Sequence, residues 1–200
     1  ILILIELIFQ LSEASLMFGE SGQILRNNII MEYAFFGSLQ DWMLSNGVFR
    51  WEFAIRYVTY PFIHLSFMQT LIATVMFLAL GKMVCEIYNG FLFFALIFAS
   101  SVSGAFFYGL ILNDQFPLIG LFPAIYGLIG AYTYILWASL RSVGAKSANA
   151  FILVALLLGI QILFKFLFNG ANDWIADLFG FFTGFLFAFL TNLYLLKHSN

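Results

Sequence analysis

Gly120-Leu121-Phe122-Pro123-Ala124-Ile125-Tyr126-Gly127-Leu128-Ile129-Gly130-Ala131-Tyr132 is the stretch on which the reading of the fold turns. Small residues at 120, 124, 127 and 131 let other backbone come close, while the bulky Phe122 sits near the mouth of the same apolar segment. Pro123 has no amide hydrogen, a lack that costs nothing in the first turn of a helix, so a helix is expected to start here. The segment reads as a membrane-embedded helix packed against small-residue faces of its neighbours.

Composition supports that setting. Of 200 residues, 63% are hydrophobic and only 9% charged, and the mean hydropathy is +1.00. No water-soluble core of ordinary composition hides so much apolar surface, so the chain is expected to be integral to a lipid bilayer. A net charge of -2 supplies no basic field for phosphate backbones, which argues against nucleic-acid binding. The lone Cys85 excludes an internal disulfide framework, and His64 and His198 lie on different segments. Neither a metal site nor a cofactor is expected. Ile1 falls inside an apolar run with no initiator Met, so an N-terminal piece is expected to precede it.

A membrane span needs roughly 20 mostly apolar residues. The chain offers six such runs, at approximately 1–18, 62–82, 87–112, 118–140, 149–169 and 174–196. They predict one all-α transmembrane domain over 1–200. Gly81-Lys82, Asn113-Asp114, Arg141 to Ser147 and Asn169 to Asp173 punctuate it. The connection at 19–61 is long and mixes Glu20, Arg26, Glu32, Asp41, Arg50, Glu52 and Arg56 with aromatics, which suits short helices lying in the interface. Lys82, Arg141, Lys146 and Lys197 fall on one side of the membrane, against Asp114 and Asp173 in the short loops of the other. The positive-inside bias therefore predicts a cytoplasmic C-terminus and an outer long loop in a multi-pass protein. Gly127 with Ala131, and Gly180 with Gly184, form small-xxx-small pairs, so the fourth and sixth spans are expected to pack together.

Four stretches, in order, carry a resemblance. Arg56, Thr59, Phe62 and His64 match the pattern Trp-Arg-x-x-Thr-x-x-Phe-x-His, with Ile55 at the Trp position. Gly81 and Glu86-x-x-x-Gly90 follow, with one residue inserted between Gly81 and Glu86. The segment from Gly120 to Ala131 is similar to Gly-x-Ser-Gly-x-x-x-Gly-x-x-Gly-Ala, and Ala176 to Gly184 to Ala-His-x-x-Gly-x-x-x-Gly. Together they resemble the rhomboid intramembrane proteases, which implies a rhomboid-like bundle of six transmembrane helices with a partly helical interfacial loop between the first two.

In that family a serine at the start of the fourth helix attacks the scissile carbonyl and a histidine on the sixth takes its proton. Here those positions hold Phe122 and Asp177, and the glycine after the serine is Pro123, which has no N–H for an oxyanion. The oxyanion-stabilising histidine and asparagine of the second helix fall at Gln69 and Ala73. The resemblance thus implies a vacated catalytic site. Ser66, Ser101 and Ser103 are other hydroxyls, but nothing places one against His64, and serines within spans ordinarily satisfy backbone.

Asp177 and Lys165 lie at similar depth in the sixth and fifth spans. An isolated charge there costs about 2.5 to 3.5 kcal/mol, so Asp177 is expected to meet Lys165 or Gln69, or else to reach water while Lys165 snorkels outward. Glu6 and Glu13, seven apart on one helix face, read as structural.

The expected function is that of a proteolytically inactive rhomboid-like protein. It would bind transmembrane helices of other proteins, as a client-binding pseudoprotease or as an accessory or scaffold subunit of a larger membrane complex. Polar candidates for such a site are Asp177, Lys165, Gln69, His64 and Arg56. The alternatives are an active intramembrane serine protease with relocated residues, or a small transporter, although no internal symmetry of the transporter kind is visible.

Overall fold

The computed structural model describes residues 2–13, 21–112, 116–168 and 172–198. Helix α1 covers Leu2–Glu13, α2 Ser21–Tyr33, α3 Gly37–Asn46, α4 Trp51–Ala54 and α5 Arg56–Thr59, followed by a 3-10 turn at Tyr60–Phe62. The long apolar helices are α6 at Phe67–Cys85, α7 at Gly90–Ile111 and α8 at Phe122–Ser142. A 3-10 turn at Ser147–Phe151 leads into α9 at Ile152–Phe168, and α10 covers Trp174–His198.

Among the described residues four helices are long and apolar enough to cross a membrane: α6, α7, α8 and the Trp174–Leu193 part of α10. Two further apolar stretches, Leu2–Leu11 and Ser147–Ile160, are shorter within the described residues. Helix α6 starts at Phe67, five residues after the expected 62. Pro61 sits in the 3-10 turn, Ile63 is extended, and the Ser66 hydroxyl caps the new helix by accepting from Gln69 N at 3.3 Å. His64 therefore lies in the connection outside the span.

Helix α8 is the axis of the bundle. Every residue from Pro123 to Ala131 is buried, with α10, α7 and α6 packed around it. Its contact with α10 is backbone on backbone: a methyl at Gly180 would overlap the Pro123 carbonyl, and one at Gly184 the Gly127 carbonyl. Gly130 faces the backbone of Phe181 and Phe185 in the same manner, and Gly127 also faces the Ser100 side chain of α7. In lipid, where apolar burial supplies little drive between helices, such close approach is what gains van der Waals contact.

The five short elements between α1 and α6 are not a free loop. Phe35 and Leu118 exchange backbone hydrogen bonds at 3.2 and 2.8 Å, and Gly120 N donates to the Tyr60 carbonyl at 3.1 Å. The segment thereby holds the chain entering α8.

Candidate functional site: a small polar cavity where α6, α8 and α10 begin

Phe122 and Pro123 open α8, Asp177 lies in the first turn of α10, and Gln69 in the first turn of α6. With Leu118, Ile119 and Asp173 they line a cavity of about 150 Å³. Four sequence-predicted positions thus share one neighbourhood: Gln69, Phe122 and Asp177 on the cavity, and Ala73 one turn below Gln69, buried against Leu121, Ala124 and Ile125.

Gly120 makes this possible. Its φ of +90° is a conformation side chains rarely adopt. A Cβ there would lie 3.4 Å from the Phe122 ring, 3.5 Å from Gln69 Nε2 and 3.6 Å from His64 Cδ2, so these three side chains converge on the missing atom. Gln69 Oε1 accepts from Leu65 N at 2.7 Å, which fixes the amide. Asp177 is 1% exposed, and the positive end of its own helix favours its carboxylate. Its charge adds to the burial that pushes the Tyr60 hydroxyl well above its ordinary range.

His64 is buried, and its Nε2 has no hydrogen-bond partner among the described residues. Loss of hydration holds its imidazole down at about 4, with Glu6 opposing and Arg26 reinforcing the shift. It is neutral at physiological pH. Behind it lies a buried polar hub. Arg26 Nη2 pairs with Glu6 Oε1 at 2.9 Å, Arg26 Nη1 donates to the His64 carbonyl at 2.8 Å, and Thr70 Oγ1 donates to Glu6 Oε2 at 3.0 Å. Gln10 Nε2 donates to Glu6 Oε1 at 3.1 Å, and Arg26 also covers the Phe9 ring at 4.5 Å. This hub ties α1, α2 and α6 together beside the cavity.

Among the described residues no hydroxyl, thiol or imidazole lines the cavity. Ser66 is committed to its cap, and Ser103 shares a 2.6 Å hydrogen bond with Thr183. The Tyr60 hydroxyl donates to the Ser101 carbonyl at 2.9 Å. Among the described residues no serine hydroxyl is bonded to an imidazole, and no group of three His, Cys, Asp or Glu is arranged for a metal ion. Among the described residues the lining offers two carboxylates, one amide and an aromatic face.

Arg56 stands apart from this cavity. Its Nη1 donates to the Ala34 carbonyl at 3.0 Å, and it helps shape the segment between α1 and α6. The expected contact between Asp177 and Lys165 lies outside the described residues, which do not include the Lys165 side chain. Gly127, Gly180 and Gly184 lie in the α8–α10 contact, and Ala131 is buried next to Leu128 and Ala188.

Sequence reasoning missed Asp173 as a lining residue, because a loop aspartate before a span carries no signal of direction. It also missed the Glu6–Arg26 pair. The two are 20 residues apart on different helices, a separation no helical period links.

Comparison with known proteins places these elements. A model of the rhomboid domain matches residues 51–193. No curated protein matches the chain. The matched span takes in α4 to α10 up to Leu193, and so every residue of the cavity. With its all-helical fold, its apolar spans and this match over most of its length, the chain belongs to the rhomboid family.

Proposed function

We propose that this protein is a rhomboid pseudoprotease, a multi-pass membrane protein that recognises transmembrane helices of other proteins without cleaving them. The single observation that carries the reading is the cavity at Gln69, Phe122, Pro123 and Asp177, where the family's dyad and oxyanion donors belong. Phe122 offers no nucleophilic atom, Pro123 no N–H, and Ala73 no polar group. The serine position that a base at 177 would serve is occupied by Phe122. These gaps fall on one reaction, so hydrolysis lacks its attack, its proton transfer and much of its oxyanion stabilisation at once.

Six spans are part of this proposal, with α1 and α9 completing the bundle, the C-terminus cytoplasmic and the segment 19–61 outside. The packing of α9 supports helix recognition. Among the described residues α9 packs on α8, α10 and the turn before it, and Ile152, Leu153, Leu156, Ile160 and Leu163 are exposed. On α6, Leu71, Ile72, Val75 and Leu78 are exposed too. Exposed apolar faces on α9 and α6 are the surfaces a partner helix would pack on, whether the partner is a passing client or a permanent subunit of a larger complex.

Purified protein incubated with a transmembrane peptide substrate tests the loss of activity; cleavage by the unmodified chain refutes it. Purification in mild detergent, followed by mass spectrometry of co-purifying membrane proteins, tests the partner role. Recovery of the chain alone, under conditions that preserve other membrane complexes, counts against it.

A further inference from the structure

The segment between α1 and α6 encloses a second cavity, of about 310 Å³, lined by Met31, Phe36, Ser38, Leu39, Phe53 and Arg56. Four of these are apolar, and the polar two are a hydroxyl and a cation. Arg56 lies with its guanidinium 5.7 Å from the centre of the Phe36 ring, and one nitrogen is committed to the Ala34 carbonyl. Its Nε is buried and has no hydrogen-bond partner among the described residues. A buried N–H of a charged group left unmade is costly, so an acceptor belongs there.

The protein's own nearest anion does not fill that role. Glu32 acts on Arg56 through space, yet the two form no ion pair among the described residues. The Glu32 carboxylate is exposed, near enough to act on the Arg56 charge without pairing with it. Trp42 meets Phe53, a wall of the cavity, edge to face at 6.0 Å, and Arg50 lies 5.9 Å from the Trp42 ring. Phe49 and Trp51 on the same segment are 75% and 70% exposed, and the apolar helix α6 follows after α5 and the 3-10 turn. Aromatic side chains with arginines at the end of a span mark the level of lipid headgroups.

We propose that this cavity seats one zwitterionic phospholipid of the surrounding leaflet. The phosphate accepts from Arg56 and Ser38, the ammonium faces Glu32, and the glycerol and upper acyl carbons lie on Met31, Phe36, Leu39 and Phe53. Guanidinium suits phosphate through its planar fork of donors. An anionic lipid fits less well, because exposed Glu32, Asp41 and Glu52 outweigh Arg50 and Arg56 on this segment once Arg26 is paired with Glu6. The lipid would fasten the segment that itself holds the entry to α8.

The test is native mass spectrometry of delipidated protein titrated with phosphatidylethanolamine, with phosphatidylglycerol and with inorganic phosphate. One phosphatidylethanolamine is expected per chain, held at least about fivefold more tightly than phosphatidylglycerol. Arg56→Gln should weaken it about tenfold or more, and Glu32→Gln should shift the preference toward phosphatidylglycerol. Ser38→Trp fills the cavity while leaving the Arg56–Ala34 bond in place, so it should abolish retention even if Arg56→Gln disturbs the fold. Equal retention of both lipids, unchanged retention in Ser38→Trp, or displacement by millimolar inorganic phosphate overturns the proposal.

Discussion

Gly184 lies so close to Gly127 that a methyl group placed on it would overlap the Gly127 carbonyl. The atoms that would have to yield are backbone, which cannot rotate away as a side chain does. Gly184→Val should therefore separate α10 from α8 and destabilise the protein by about 3 kcal/mol or more, at or beyond the upper end of ordinary overpacking. Gly159 on α9 meets nothing within 4 Å, and Gly159→Ala should be neutral or stabilise by up to about 1 kcal/mol. Denaturation midpoints in one detergent compare the two; equal losses would contradict the packing.

The Glu6–Arg26 pair carries a different signature. Both side chains are buried, and each satisfies the other and further groups. Glu6→Leu alone strands the guanidinium and should cost about 3 to 5 kcal/mol. Glu6→Leu with Arg26→Leu removes both charges and should recover a large part of that loss. A double-mutant cycle on thermal midpoints reads the coupling; purely additive losses would argue that the pair does not act as a unit.

Restoring two side chains should not restore hydrolysis. Phe122→Ser with Asp177→His returns the family's nucleophile and base, yet Pro123 still withholds its N–H and Ala73 its amide. Each absent oxyanion donor costs about a hundredfold to a thousandfold in rate. The double variant should show no cleavage of a transmembrane peptide above background. Adding Pro123→Gly, Gln69→His and Ala73→Asn is the combination expected to show measurable turnover. Strong activity in the double variant alone would mean that the oxyanion site survives.

Acid should weaken the fold through His64. Its imidazole titrates at about 4 when folded, against an ordinary 6.5. Between these values the unfolded chain binds the proton and the folded chain does not. His64 thus leaves stability untouched above pH 6.5 and lowers it as pH falls toward 4, by at most about 1.4 kcal/mol per pH unit. His64→Gln should flatten that part of the midpoint-against-pH curve, and an unchanged slope would remove His64 as its cause.

The reading from Gly120 to Ala131 reached the helix, its proline start and its small-residue face, because each is a local property of a short run. The same holds for the apolar character of α6, α7, α8 and α10. The entry of α6 was less legible. Pro61 and Ser66 move the start to Phe67, and hydropathy alone does not distinguish an apolar 3-10 turn from the helix that follows. The segment after α1 read as interfacial short helices from its mixture of charge and aromatics. Its attachment to the chain before α8, through Phe35, Leu118, Tyr60 and Gly120, had no counterpart in composition.

By itself the sequence determined that this protein belongs in a bilayer and which motifs it shares with the rhomboids, because hydropathy and spacing are properties of neighbouring residues. Only the tertiary structure decided that Gln69, Phe122, Asp173 and Asp177 line one cavity, that Glu6 answers Arg26, and that Arg56 keeps a buried N–H beside an apolar floor. Those relationships join residues far apart in the chain. The first depends on how closely α8 and α10 approach through glycine, and the other two on how the elements before α8 pack together, distances fixed by the packing of whole helices.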